Sequence, residues 1–171
     1  MSLPRPPRPV ILLLAAALVG VALYAVFRER PAPPPPAPEF TLKDLKSYGV
    51  DNPHAGRLYV VEGSVANDMA GPRCRIQIKV SLLDANGAML AETLTEARAA
   101  SPAASISELK FLGWEELQAK LAPEAADPCK ATLVAPGGQA AFMAVFRKPP
   151  AAAATYSAVA VGSLAPGSSV K

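Results

Sequence analysis

Arg75-Ile76-Gln77-Ile78-Lys79-Val80-Ser81-Leu82-Leu83 alternates apolar with polar residues almost to its end. Ile76, Ile78, Val80 and Leu82 fall on one side of an extended chain. Arg75, Gln77, Lys79 and Ser81 fall on the other. A period of two over this length predicts a strand with one buried and one solvated face. Asp84-Ala85-Asn86-Gly87 follows and predicts a tight turn, because Asn-Gly tolerates positive φ. Ala88–Thr95 can then return as the partner strand.

Outward from this pair, the same signals recur. Leu58–Val65 is an apolar stretch bounded by Gly56 and by Asn67-Asp68. Lys130–Val134 is a short strand candidate, and Ala135-Pro136-Gly137-Gly138 a turn. Gln139–Phe146 alternates again, with Phe142, Ala144 and Phe146 on one face. Thr155–Val161 is a last strand. Short strands with regular turn signals predict a mainly β domain, a sandwich or barrel. Gly113–Leu121 interrupts them. Glu115 and Glu116 suit a first helical turn, Trp114, Leu117 and Leu121 share one helical face, and Pro123 ends it. This stretch is expected to be a helical insertion.

The N-terminal quarter has a different composition. Ten of the 19 prolines lie within the first 38 residues. Val10–Phe27 is 18 residues without a charge. At about 1.5 Å per residue it would span roughly 27 Å, close to a hydrocarbon core of about 30 Å. Arg8 precedes it, Arg28 and Arg30 follow it, and Tyr24 is placed for an interface. The stretch is expected to be one transmembrane helix. Its apolar core is longer than that of a cleaved signal peptide. The nine-residue leader and the mass beyond the helix favour a cytoplasmic N-terminus and a bulk outside, which in a bacterium is the periplasm. Pro31–Pro38 then reads as a polyproline II spacer.

The net charge of +3 is mostly local. Without Arg5 and Arg8, the 17 basic residues become 15, against 14 acidic ones. The body is near neutral, which argues against a nucleic-acid footprint.

Four stretches carry a likeness: AGRLYVVEGSVAND, VSLLDANGAMLAE, ISELKFLGWEELQAKL and APGGQAAFMAVFRKPP. Within them stand Val61-Glu62-Gly63-Ser64-Val65-Ala66-Asn67, Leu82-Leu83-Asp84-Ala85-Asn86-Gly87, Pro136-Gly137 and Phe142-Met143-Ala144-Val145-Phe146. In this order they resemble a bacterial membrane-anchored family catalogued as domain of unknown function 3426, over roughly Lys46 to Val161. The resemblance implies an immunoglobulin-like β-sandwich outside the cytoplasmic membrane. Many members carry an N-terminal zinc ribbon with paired Cys-x-x-Cys motifs. This chain has two cysteines and no such motif.

No residue pattern points to catalysis, a cofactor or a metal. His54 is the single histidine and lies in a turn-rich cluster. There is no nucleophile elbow and no phosphate loop. Glu115 and Glu116 are neighbours that diverge on a helix. Cys74 and Cys129 are a disulfide candidate, because an envelope location favours oxidation. The alternative is two free buried thiols.

The expected organisation is a cytoplasmic tail over 1–9, a transmembrane helix over 10–27, a spacer over 28–45, a β-sandwich over 46–162 and a flexible tail over 163–171. The expected function is a non-enzymatic module of the bacterial inner membrane that binds an envelope protein, with Phe111, Leu112, Trp114 and Leu117 as the candidate surface. The alternative is a sandwich that holds a lipid or other hydrophobic ligand between its sheets.

Overall fold

A computed structural model describes residues 39–98, 103–122, 129 and 132–167. The membrane helix expected at Val10–Phe27 and most of the spacer lie outside these residues. Among the described residues no helix is long and apolar enough to cross a membrane.

The described chain is mainly β, with six strands and two short helices. The strands are β1 (Phe40–Asn52), β2 (Gly56–Asn67), β3 (Cys74–Leu83), β4 (Met89–Glu96), β5 (Gln139–Arg147) and β6 (Thr155–Leu164). Between β4 and β5 lie α1 (Ile106–Phe111) and α2 (Trp114–Leu121). All strand pairings are antiparallel, in two sheets of order β1-β2-β5 and β4-β3-β6.

β3 behaves as its alternation predicts. Ile76, Ile78, Val80 and Leu82 are fully buried, while Arg75, Gln77, Lys79 and Ser81 are half-buried on the opposite face. Each buried aliphatic side chain contributes about 1.5–3 kcal/mol of apolar transfer. They meet Val61 and Val65 of β2 and Phe142, Ala144 and Phe146 of β5 in one cluster that joins the two sheets. The turn after β3 is held by Asp84, whose Oδ1 accepts from the amides of Asn86 and Ala88 at 2.8 Å each. Gly87 takes φ +83° there, a value that disfavours any side chain.

β2 and β5 are buried on both faces. Leu58, Val60, Met143 and Val145 point away from the first cluster into a second one, which is covered by Leu109 and Leu117 of the helices. Double-sided burial explains why β5 is nearly continuously apolar.

Three differences from the sequence reading matter most for the sheets. β1 begins at Phe40, inside the stretch read as spacer and polar lead-in. Its alternation is broken by a bulge between Lys43 and Lys46, where Asp44 takes φ +53°. A bulge shifts the inward face and hides the period of two. Second, β6 continues to Leu164, past Val161, because Cys74 opposite Leu164 extends the ladder. Third, Thr132–Val134 is not a strand. Val134 makes one isolated bridge to Arg73, and Lys130 and Ala131 lie outside the described residues.

The bulge has a tight partner. A Cβ on Gly63 would lie 2.8 Å from Leu45 Cδ2, 2.9 Å from the Lys43 carbonyl oxygen and 3.2 Å from Phe142 Cε1. β2 therefore requires glycine where β1 folds over it. Gly63→Ala should destabilise the domain by about 1–3 kcal/mol, the usual range for overpacking. A chemical denaturation midpoint checks this. Gly71→Ala is the control, because nothing lies within 4 Å of its added Cβ.

Candidate functional site: the helical cap on the first sheet

The helices form by local chemistry. Ser105 caps α1 by accepting from the Glu108 amide at 3.2 Å, and Glu108 Oε2 accepts from the Ser105 amide at 2.7 Å. This reciprocal pair satisfies two donors that a helix start leaves open. At α2 the Glu116 carboxylate accepts from the Gly113 amide at 3.0 Å. Leu109 and Leu117 are the buried residues of the two helices.

Asn52 fixes this cap to the sheet. It ends β1 and is buried. Its Nδ2 donates to the carbonyls of Leu109 and Leu112, at 2.8 Å each. Its Oδ1 accepts from the amides of His54 and Ala55, at 2.7 Å each. Removing the side chain would leave these groups short of partners at about 1–3 kcal/mol for each one that stays buried. One amide group thus joins the β1–β2 turn, the end of α1 and the corner before α2.

Arg147, at the end of β5, adds a second tie. Its Nε donates to the Ala55 carbonyl at 3.1 Å. Its guanidinium carbon lies 5.6 Å from the Trp114 ring centroid, within cation–π range. The Lys120 ammonium pairs with Glu108 and links the two helices. That pairing, with the hydrogen bonds from Ser105, holds the Glu108 carboxyl down at about 2. On the far edge of this sheet, burial first and the Glu62 carboxylate second push the Tyr48 phenol up to about 12.

The structure sorts the candidate surface residues. Phe111 is 68% exposed at the corner between the helices, and Ile106 is 58% exposed at the start of α1. Leu112 and Trp114 are half-buried against the second cluster. Leu117 is fully buried and offers a partner no surface. Its helical stripe points into the cap, where Leu117 packs in the same cluster as Val60 and Met143. Sequence reasoning missed Asn52, Arg147 and Ile106. The Asn52-Pro53 pair marked a turn, but its long-range bonds carry no local signal. Ser105-x-x-Glu108 was a readable helix start.

Elsewhere, Cys74 at the start of β3 is bonded to Cys129, 55 positions on. In the chain-entropy account, closing such a loop contributes about 4 kcal/mol. His54 is exposed in the β1–β2 turn, and Glu115 and Glu116 are exposed on α2. Among the described residues no group of three or more His, Cys, Asp or Glu side chains is placed to hold a metal ion.

Acid should loosen the cap. Glu108 is normally protonated below about 4.5 but in the folded chain holds its charge down to about 2. A carboxylate with a depressed folded pKa stabilises the fold above the unfolded value, and the contribution is lost as pH falls through that window. Amide protection over residues 106–121, corrected for intrinsic exchange, should drop between these two pH values. Glu108→Gln keeps an acceptor for the Ser105 amide but has no charge to lose, and should show no comparable drop.

Comparison with known proteins places the chain. No curated protein and no solved structure matches it. One family pattern matches residues 40–160, from the first residue of β1 into β6. The chain belongs to the family described as protein of unknown function (DUF3426).

Proposed function

We propose that this chain is a non-enzymatic protein-binding module, held outside the bacterial inner membrane by Val10–Phe27 and carried on the Pro31–Pro38 spacer. One observation carries the binding reading. Phe111 stands in solvent on a base that Asn52 ties to the sheet through the Leu109 and Leu112 carbonyls. A large aromatic held away from its own core is the kind of anchor that dominates protein interfaces. Ile106, at the start of the same helix, is also exposed.

An immunoglobulin-like assignment is supported by the strand order. β1-β2-β5 and β4-β3-β6 correspond to the A-B-E and C′-C-F sets of such sandwiches. The bonded cysteines fit an oxidising compartment. The hydrophobic-ligand alternative has less support. Ile76, Ile78, Val80 and Phe142 fill the space between the sheets.

A photo-cross-linker at position 111 in intact cells should yield a discrete protein adduct. The same group at Ala85, exposed in the β3–β4 turn, should not. Equal or absent adducts at the two positions would sink the binding surface. The location has its own check. A reporter fused after Lys171 and active only outside the cytoplasm is the expected result, and cytoplasmic activity would reverse the orientation.

A further inference from the structure

The sheet β4-β3-β6 ends at β6, and among the described residues β6 pairs with β3 alone. The other sheet edges are protected. β1 has its bulge and the charged Lys43, Asp44 and Lys46. β4 carries Glu92 and Glu96. β5 is met at Ala141 by Arg98, which exchanges backbone hydrogen bonds with it at 2.7 and 2.9 Å, and at Met143 by Thr95, whose hydroxyl donates to the carbonyl at 2.8 Å. β6 has neither a charge nor a proline from Thr155 to Leu164. Proteins blunt free edges with charge, proline or cover, since an unpaired row of amides and carbonyls templates another strand.

A groove of about 620 Å³ runs along this edge, between β6 and the start of β1. Its walls are Phe40 and Leu42 on one side and Ala158, Ala160 and Gly162 on the other. Phe40, Leu42, Ala158 and Ala160 already pack on the core between the sheets. The groove is therefore an open extension of that core, bordered by a hydrogen-bonding edge that no described residue pairs with. We propose that it accepts an extended strand of a partner polypeptide, added antiparallel or parallel to β6, with bulky aliphatic residues at alternate positions facing inward. The backbone edge dictates a β-strand. The small residues of β6 dictate large ones on the guest, because a dense core needs the missing volume filled. A second copy fits poorly by the same measure, since its β6 would bring Ala158, Ala160 and Gly162 again. This surface is separate from the helical cap.

The test uses the full chain in lipid nanodiscs and a decapeptide that alternates leucine with threonine or lysine. Hydrogen exchange followed by mass spectrometry should show amides between Thr155 and Leu164 slowed about tenfold or more by the peptide. The same peptide N-methylated at alternate amides keeps its leucines but cannot complete the ladder, and should give no slowing. Ala160→Leu fills the groove and should abolish the effect, while Phe111→Ala should leave it intact. Absence of slowing, or slowing that persists with the methylated peptide, overturns the proposal. So does a β6 edge already slow without peptide. Slowing independent of concentration would make the occupant residues 168–171 of the same chain, and slowing that rises with concentration would make it a second copy.

Discussion

Burial of one face of β3 is the constraint on which the remaining structure rests. Ile76, Ile78, Val80 and Leu82 fully lose their solvent contact only because the opposite sheet lies over them. No single sheet can dry both its faces. β3 is also the central strand of its sheet, with β4 on one side and β6 on the other. A register slip of one residue would send Gln77, Lys79 and Ser81 inward and expose the aliphatic set. Asp84 and Gly87 fix that register at one end. Arg75 fixes it at the other, with its Nε and Nη2 donating to Glu96 of β4 at 2.9 and 2.8 Å.

What could be read in advance follows from how local each signal is. β3, its turn and β5 announce themselves, because alternation and Asn-Gly act over a few residues. β5 was legible on one face only. Met143 and Val145 looked like the outward set, and it takes the helices to bury them. β1 was hidden for the opposite reason, since its bulge changes the phase in mid-strand. The candidate surface was half legible. Helical spacing put Trp114, Leu117 and Leu121 on one face, but periodicity cannot say whether that face looks at solvent or at a sheet. Leu117 looks at the sheet, and Phe111, off the stripe, looks at solvent. Asn52 was illegible as a staple, because its partners Leu109 and Leu112 lie 57 and 60 positions away.

The alanine-rich composition makes these long-range ties matter more. Ala140, Ala144, Ala97 and Ala66 are buried but remove little area from water. Much of the specificity passes to polar groups with full sets of partners. Asn67 is the counterpart of Asn52 at the other end of the hairpin. It is fully buried, and its Nδ2 donates to Gly71 and Val134 at 3.0 Å each. Two buried asparagines thus bracket the β1–β2 pair and pin loops that few apolar contacts would hold.

The two apolar clusters lie on opposite faces of the sheet β1-β2-β5 and have no buried residue in common. β2 and β5 carry both, so the cap can open without unpairing the sheets but not the reverse. The cap rests on a smaller set of side chains and on Asn52, whereas the cluster between the sheets is tied into every strand pairing. A local opening of the cap, of the kind that precedes global unfolding, would uncover Leu58, Val60, Met143 and Val145 while the sheets stay paired. Trp114 is the single tryptophan of the chain. It packs on the second cluster beside Arg147, so its surroundings are those of the cap.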